Sequence, residues 1–318
     1  MKVTEHIAKA KGATQFTLEI LPPLKGQSIH DLYNALDELS EFNPPFIDVT
    51  YHREEYEYKE VGKGLLQQRI IRKRPGTVGI CAAIQNKYKV DAIPHILCGG
   101  FSKEDTENLL IDLDFLEIDN VVALRGDAVK NETYFTPNED GHHYASELVA
   151  QIAALNKGEY LDRDLQHPHA TNFCIGVSGY PEKHMEAPSL DSDIHFLKEK
   201  IKAGADYIVT QMFFDNQKYF DFVAKVRKAG IEVPIIPGLK PFSTQKQLNS
   251  IPHRFHVDLP EDLIKAVIKC KHNTEVKQVG VEWCIQQSKE LKAAGVPFLH
   301  YYSMSKSDNI KPVAKEVF

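Results

Sequence analysis

Short apolar runs recur along the chain and break off abruptly at polar side chains or glycine. Runs at 15–21, 45–51, 91–98, 120–125, 172–178, 206–212, 233–237 and 297–302 read as strands. Amphipathic stretches at 28–41, 60–73, 102–117, 143–156, 190–203, 216–229, 260–270 and 276–294 read as helices. Their alternation predicts a parallel sheet with helical crossovers. Gly204, Gly230 and Gly295 stand where helices are expected to end. Eight such units predict an α/β protein of the (β/α)8 TIM-barrel class. No linker or composition break divides the chain, so 1–318 reads as one domain. A second strand-like run at 77–84 reads as an added hairpin or short strand within an inserted stretch, 75–90. The segment 157–171 reads as a surface loop.

Several strands carry a polar group near their C-terminal ends, where β/α barrels place their working groups. Val121–Leu124 runs into Arg125, Gly126 and Asp127. Glu19 interrupts the run Gln15–Leu21, and Gln211 interrupts Tyr207–Phe214. Alternation puts Thr17, Glu19 and Leu21 on one side of the first strand and Phe16, Leu18 and Ile20 on the other. An inward-facing glutamate is partly desolvated, which raises its pKa and lets it donate a proton near neutrality. The alternative for Glu19 is a structural ion pair with Arg or Lys. Gly126 permits close backbone approach to a ligand, and Asp127 could hold a polar group or tune a cofactor. A plain turn is the competing reading. Adhesion through Arg-Gly-Asp would need an exposed extracellular loop, whereas this one hangs on a strand. The amide of Gln211 suits a heterocycle that offers both donor and acceptor, or simply a satisfied core site. His95 by itself reads as a core histidine. The loop 179–188 gathers Tyr180, His184 and Glu186, and the helix after it carries Asp193 and Lys200. That set suits a phosphate- and ribose-bearing ligand, or else a helix dipole and a solvated lysine.

Composition narrows the classes. The chain has 318 residues, 42% hydrophobic, with a net charge of −6, so it can bury a large core and offers no basic stripe for nucleic acid. The cluster Arg69, Arg72, Lys73 and Arg74 reads as a solvated helix end. Five cysteines without a CxxC pair read as reduced, buried thiols, and no metal site is expected. No run approaches the length needed to span a membrane, and the N-terminus has no apolar signal region. A cytoplasmic protein is expected.

Taken in order, these segments resemble the methylenetetrahydrofolate reductase family of flavoproteins. The resemblance runs through Phe16–Pro23, Asp48–Tyr51, Pro94-His95, Ala123–Asp127 and His143–Ser146. It continues through Tyr180–His184, Gly204 to Asp215, Ile236–Leu239 and His300–Tyr302. It implies a bacterial-type catalytic barrel without the regulatory region of eukaryotic relatives. Such a barrel holds FAD noncovalently and reduces 5,10-methylenetetrahydrofolate to 5-methyltetrahydrofolate with NADH or NADPH. The two substrates use one flavin face in turn. No GxGxxG opens a helix after the first strand, consistent with a nicotinamide that needs no dinucleotide fold of its own.

The same resemblance implies roles. Glu19 is the acid, and Asp127 lies beside the flavin and the pterin. FAD positions fall on Tyr51, His95, Arg125, Gly126, Asp127, His143, Ala145, Tyr180, His184, Ala187, Asp193, Phe196 and Lys200. Substrate positions fall on Glu19, Thr50, Asp127, Gln211, Gln247 and Lys306. A homo-oligomer is implied, with neither nucleic acid nor membrane as partner. His52 stands where the family often has glycine, Met212 where an aromatic is common, and Lys306 where arginine is frequent.

Overall fold

A computed structural model describes residues 1–129 and 132–318. Helix α1 (Val3–Ala10) precedes strand β1 (Gln15–Ile20), helix α2 (Ile29–Leu39) and strand β2 (Phe46–Val49). A hairpin of β3 (Glu55–Glu60) and β4 (Leu66–Ile71) intervenes before α3 (Thr77–Tyr88) and β5 (Asp91–Leu97). Alternation continues through α4 (Lys103–Phe115), β6 (Asn120–Leu124), α5 (Ala145–Leu155), β7 (Cys174–Gly179), α6 (Leu190–Ala203), β8 (Tyr207–Thr210) and α7 (Asn216–Lys228). The short strands β9 (Ile235–Ile236) and β10 (Gly238–Leu239) flank Pro237. Helices α8 (Gln247–Phe255), α9 (Glu261–Lys269) and α10 (Asn273–Ala293) lead to β11 (Phe298–Tyr302) and α11 (Ile310–Val317).

Nine parallel strands form one sheet in the order β10-β11-β1-β2-β5-β6-β7-β8-β9. Its two end strands adjoin Pro237, so β9 and β10 act as one interrupted stave and the sheet is a nearly closed barrel. Proline has no N–H to give the ladder, but its carbonyl accepts from His300 N at 3.1 Å and spans the break.

Strand parity builds two separate cores. Phe16, Leu18 and Ile20 face outward against Leu32, Leu36 and Leu39 of α2. Phe46, Ile93, Val122, Cys174, Tyr207, Ile236 and Phe298 fill the lumen. The N-terminal end of the lumen is plugged by α1. Its Val3 is fully buried and donates its backbone N–H to Asn120 Oδ1 at 2.9 Å. A lumen packed from below forces any ligand to the C-terminal end of the strands. All five cysteines are free and buried. Among the described residues no helix is long and apolar enough to cross a membrane.

Two expectations around the second crossover are overturned. The stretch 60–73 is not a helix: β3 and β4 pair antiparallel from Glu55↔Ile71 to Glu60↔Leu66. Gly62, Lys63 and Gly64 all take positive φ, which no helix tolerates. The Arg69 cluster therefore lies on and just beyond a strand, not at a helix end. Conversely, 77–84 is part of helix α3, which buries Ile80, Cys81 and Ile84. Its consecutive apolar residues imitate a strand, and its N-cap, Gly76, makes no side-chain capping bond that could announce it. The extra element is thus the hairpin, while α3 is the ordinary crossover between β2 and β5. The short helices α1, α8 and α11 were not anticipated.

Two glycines test the packing in opposite directions. A Cβ on Gly280 of α10 would sit 1.9 Å from the carbonyl oxygen of Phe242, whereas one on Gly79 of α3 would meet nothing within 4 Å. Urea unfolding should show Gly280→Ala losing roughly 1–3 kcal/mol or more. Gly79→Ala should gain about 0.5–1 kcal/mol. Equal effects would contradict this packing.

Candidate active site

The C-terminal ends of the staves bring together groups widely separated in sequence. In register, Glu19 of β1 lies between Asp48 of β2 and Tyr302 of β11. His95 of β5 points its Nε2 at Glu19 Oε2, 3.5 Å away, and at Asp48 Oδ2, 3.7 Å away. His300 of β11 lies on the other side of Asp48, with Nε2 to Oδ2 at 3.8 Å. Thr17 Oγ1 fixes the His300 ring through Nδ1 at 2.9 Å. Inward parity of Glu19 is as the alternation predicted, but its neighbours are histidine and aspartate in place of an Arg or Lys ion pair.

This crowding sets the protonation. Burial pushes the Glu19 carboxyl up to about 7; His95 opposes the rise, Asp48 adds to it and Lys240 opposes it. For His95, burial opposes the cationic form, but Asp48 and Glu19 outweigh burial and raise its pKa. Burial holds His300 below its ordinary value. Lys240, just past β10, is lowered chiefly by burial. The lumen thus presents a carboxylic acid close to its neutral point at the open end of the barrel.

A second group of side chains lies around the ends of β6 and β7. Gly126 takes φ +86°, and a Cβ there would touch Leu97. Arg125 donates to both carboxylate oxygens of Glu186, at 2.6 and 2.8 Å, and sits 5.0 Å over the Phe135 ring. Asp127 is exposed beside them. Tyr180 and His184 meet edge to face at 4.8 Å, and His184 N donates to Asp193 Oδ2 at 2.9 Å. Lys200 is pushed down to about 8 by burial, with Asp193 opposing the shift, and donates to Ser178 O at 2.7 Å. Ala187 is buried in the same loop. His143 and Ala145 lie at the N-terminus of α5, with His143 N bonded to Glu147 at 2.7 Å. Phe196 is exposed on α6.

The remaining expected positions follow the rim. Tyr51 packs on Phe101 at 5.1 Å, and Thr50 Oγ1 is buried without a hydrogen-bond partner among the described residues. Gln211 accepts from Met212 N through its own side-chain oxygen at 2.9 Å, which leaves its amide nitrogen to donate. Gln247 is occupied locally, accepting from Ser243 N and Thr244 N at 2.6 and 3.1 Å. Lys306 is exposed past β11, close enough to Lys240 to depress its pKa. Sequence reasoning gave no role to Asp48, His300, Lys240 or Tyr302. The signal for Asp48 was present: a carboxylate inside the four-residue strand Phe-Ile-Asp-Val.

The raised Glu19 pKa has a sign for stability. The unfolded chain releases this proton near 4.5 and the folded chain near 7. Wild-type stability should therefore fall as pH rises through that window and level off above it. Glu19→Gln lacks this loss. Relative to wild type it should gain up to about 3 kcal/mol between pH 5 and pH 8 in urea unfolding. A difference that does not vary with pH would refute the assignment.

The chain is similar to known proteins along its length. The family model described as methylenetetrahydrofolate reductase matches residues 2–317. The chain is 32% identical over 321 residues to methylenetetrahydrofolate reductase 1 of Schizosaccharomyces pombe, covering 100% of this chain and 48% of that protein. It thus spans about half the length of that relative. It is 28% identical over 309 residues to 5,10-methylenetetrahydrofolate reductase of Escherichia coli, covering 96% of this chain and 91% of that one. A solved Clostridium thermocellum protein that binds two copies of 5-methyl-5,6,7,8-tetrahydrofolic acid shares the fold. Its TM-score is 0.56 at 13% identity, covering 99% of this chain and 97% of that one. The breadth of the family match and the barrel beneath it place the chain in the methylenetetrahydrofolate reductase family.

Proposed function

We propose that residues 1–318 act as one catalytic unit that reduces 5,10-methylenetetrahydrofolate to 5-methyltetrahydrofolate with NAD(P)H through bound FAD. The observation that carries this reading is the Glu19 carboxyl, held near 7 by burial at the open end of a plugged barrel. The reaction needs an acid of that strength. Opening the methylene bridge of the folate leaves an amine that must take a proton at neutral pH. Glu19 donates it as the bridge opens to an electrophilic iminium, and His95, with Nε2 3.5 Å from the carboxyl, stabilises the carboxylate that remains.

The chain fits FAD. Lys200 is a part-buried ammonium that donates to a backbone carbonyl with Asp193 nearby, and Gly126 leaves room for close backbone approach. Lys200 and Arg125 suit the diphosphate or neighbouring polar groups. Tyr51, His95, His143, Ala145, Tyr180, His184, Ala187, Asp193 and Phe196 frame the rest. The Thr50 hydroxyl, without a partner among the described residues, would line the nicotinamide site. FAD supplies hydride transfer from the nicotinamide to the folate carbon in two successive half-reactions. Asp127 places a carboxylate beside the cofactor and the pterin, Gln211 offers its free amide N–H to the pterin, and Gln247 and Lys306 lie toward the folate tail.

Anaerobic absorbance tests the proposal. NADH or NADPH should bleach the yellow protein, and methylenetetrahydrofolate should restore its colour. Glu19→Gln should still bleach but recover roughly 10²- to 10⁴-fold more slowly. Asp127→Asn should slow the recovery about tenfold, the effect of ~1.4 kcal/mol, and weaken folate binding. Lys200→Met should lose flavin on gel filtration. A protein that binds no flavin, or whose reduced flavin ignores the folate, would overturn the reading.

A further inference from the structure

Beside Glu19, on the neighbouring stave, the lumen holds a carboxylate that the chemistry above does not use. Asp48 is 1% exposed, among Phe46, Ile93 and Phe298 of the lumen core. Its Oδ2 lies between the Nε2 atoms of His95 and His300, at 3.7 and 3.8 Å. Asp48 Oδ1, His300 Nε2 and the Tyr207 hydroxyl find no hydrogen-bond partner among the described residues. A buried carboxylate so poorly satisfied disfavours folding, and a small apolar side chain at this position would avoid the penalty. What Asp48 supplies in return is a carboxylate in register with the acid on the neighbouring stave.

We propose that Asp48 is a positioning residue for the acid: seated between His95 and His300, its carboxylate keeps a proton on the Glu19–His95 pair at neutral pH. The inference rests on the reading of Glu19 as the proton donor. The geometry allows the influence to pass through one imidazole, since a single nitrogen, His95 Nε2, faces both carboxylates. Thr17 orients His300, which burial keeps short of protonation, so His300 does not cancel the Asp48 charge. The other ionisable groups around the cluster come from every side. Tyr302 shares β11 with His300, Tyr207 faces in from β8, and Cys81 lies behind β2 on α3. Lys240 approaches Glu19 from beyond β10, and His52, next to Arg74 and Arg254, approaches His95 from the loop after β2.

Whichever member of the pair holds the proton, removing a negative charge from the cluster lowers its proton affinity. In Asp48→Asn holoprotein, isotope-edited infrared titration of the protonated Glu19 carbonyl should move its midpoint down by about one pH unit. The alkaline limb of folate-driven flavin reoxidation should move down by the same amount. An unchanged midpoint, with reoxidation slowed equally at every pH, would reduce Asp48 to a structural role and overturn the proposal. If wild-type protein does not react with the folate, the functional reading fails, but the infrared shift still decides the role of Asp48. Glu19→Gln provides a check that does not depend on Asp48→Asn folding. With Glu19 neutral, NMR titration should find His95 at or above its ordinary value despite burial, because Asp48 remains. A value well below that would overturn the proposal.

Discussion

Closing a parallel sheet around a packed lumen removes water from the inward face of every strand. The rest of the site follows from that constraint. Apolar inward residues fill the lower lumen, and α1 plugs its base through Val3. Glu19, Asp48, His95 and His300 point into the upper lumen, where solvent screens them little. Their charges must then be settled among themselves. Glu19 is pushed toward neutrality by burial, while the pKa of His95 is raised because two carboxylates face one imidazole nitrogen and outweigh its burial. The acid is therefore a property of the barrel and its neighbouring staves as much as of the glutamate.

The rim solves a different problem. Several of its groups are already held in place: Arg125 by Glu186, His184 by Asp193, Lys200 by a strand-end carbonyl. Such prior hydrogen bonding limits the entropy lost when a large anionic cofactor arrives. The two groups are separated around the barrel mouth. The buried carboxylates and histidines belong to the lumen at β1, β2, β5 and β11, and the groups proposed to hold the cofactor cluster around the ends of β6 and β7. A ligand lying across the mouth would touch both.

Much of this was legible in the sequence because strand parity is a strong signal. The eight staves and the inward direction of Glu19 follow from alternation alone. The crossover after β2 was misread for physical reasons. The hairpin strands have apolar residues such as Tyr56, Tyr58, Leu66 and Ile70 on an exposed face, so their spacing reports no core. Helix α3, by contrast, is apolar at successive positions and lacks a capping side chain. The partnership of Asp48 with His95 and His300 was not readable, because each contact joins separate strands, β2 with β5 and β2 with β11 across β1, whose register the sequence does not state. The residues Asp48 and His300 were visible within recognisable segments; their proximity was not.

The central claim is that a carboxylic acid near its neutral point limits folate reduction and not flavin reduction. Stopped-flow measurement of both half-reactions from pH 5 to 9 tests it most directly. The account predicts that folate-driven reoxidation falls as pH rises through about 7, while flavin reduction by the nicotinamide shows no such limb. A limb shared by both half-reactions, or none in the folate half-reaction, would contradict it.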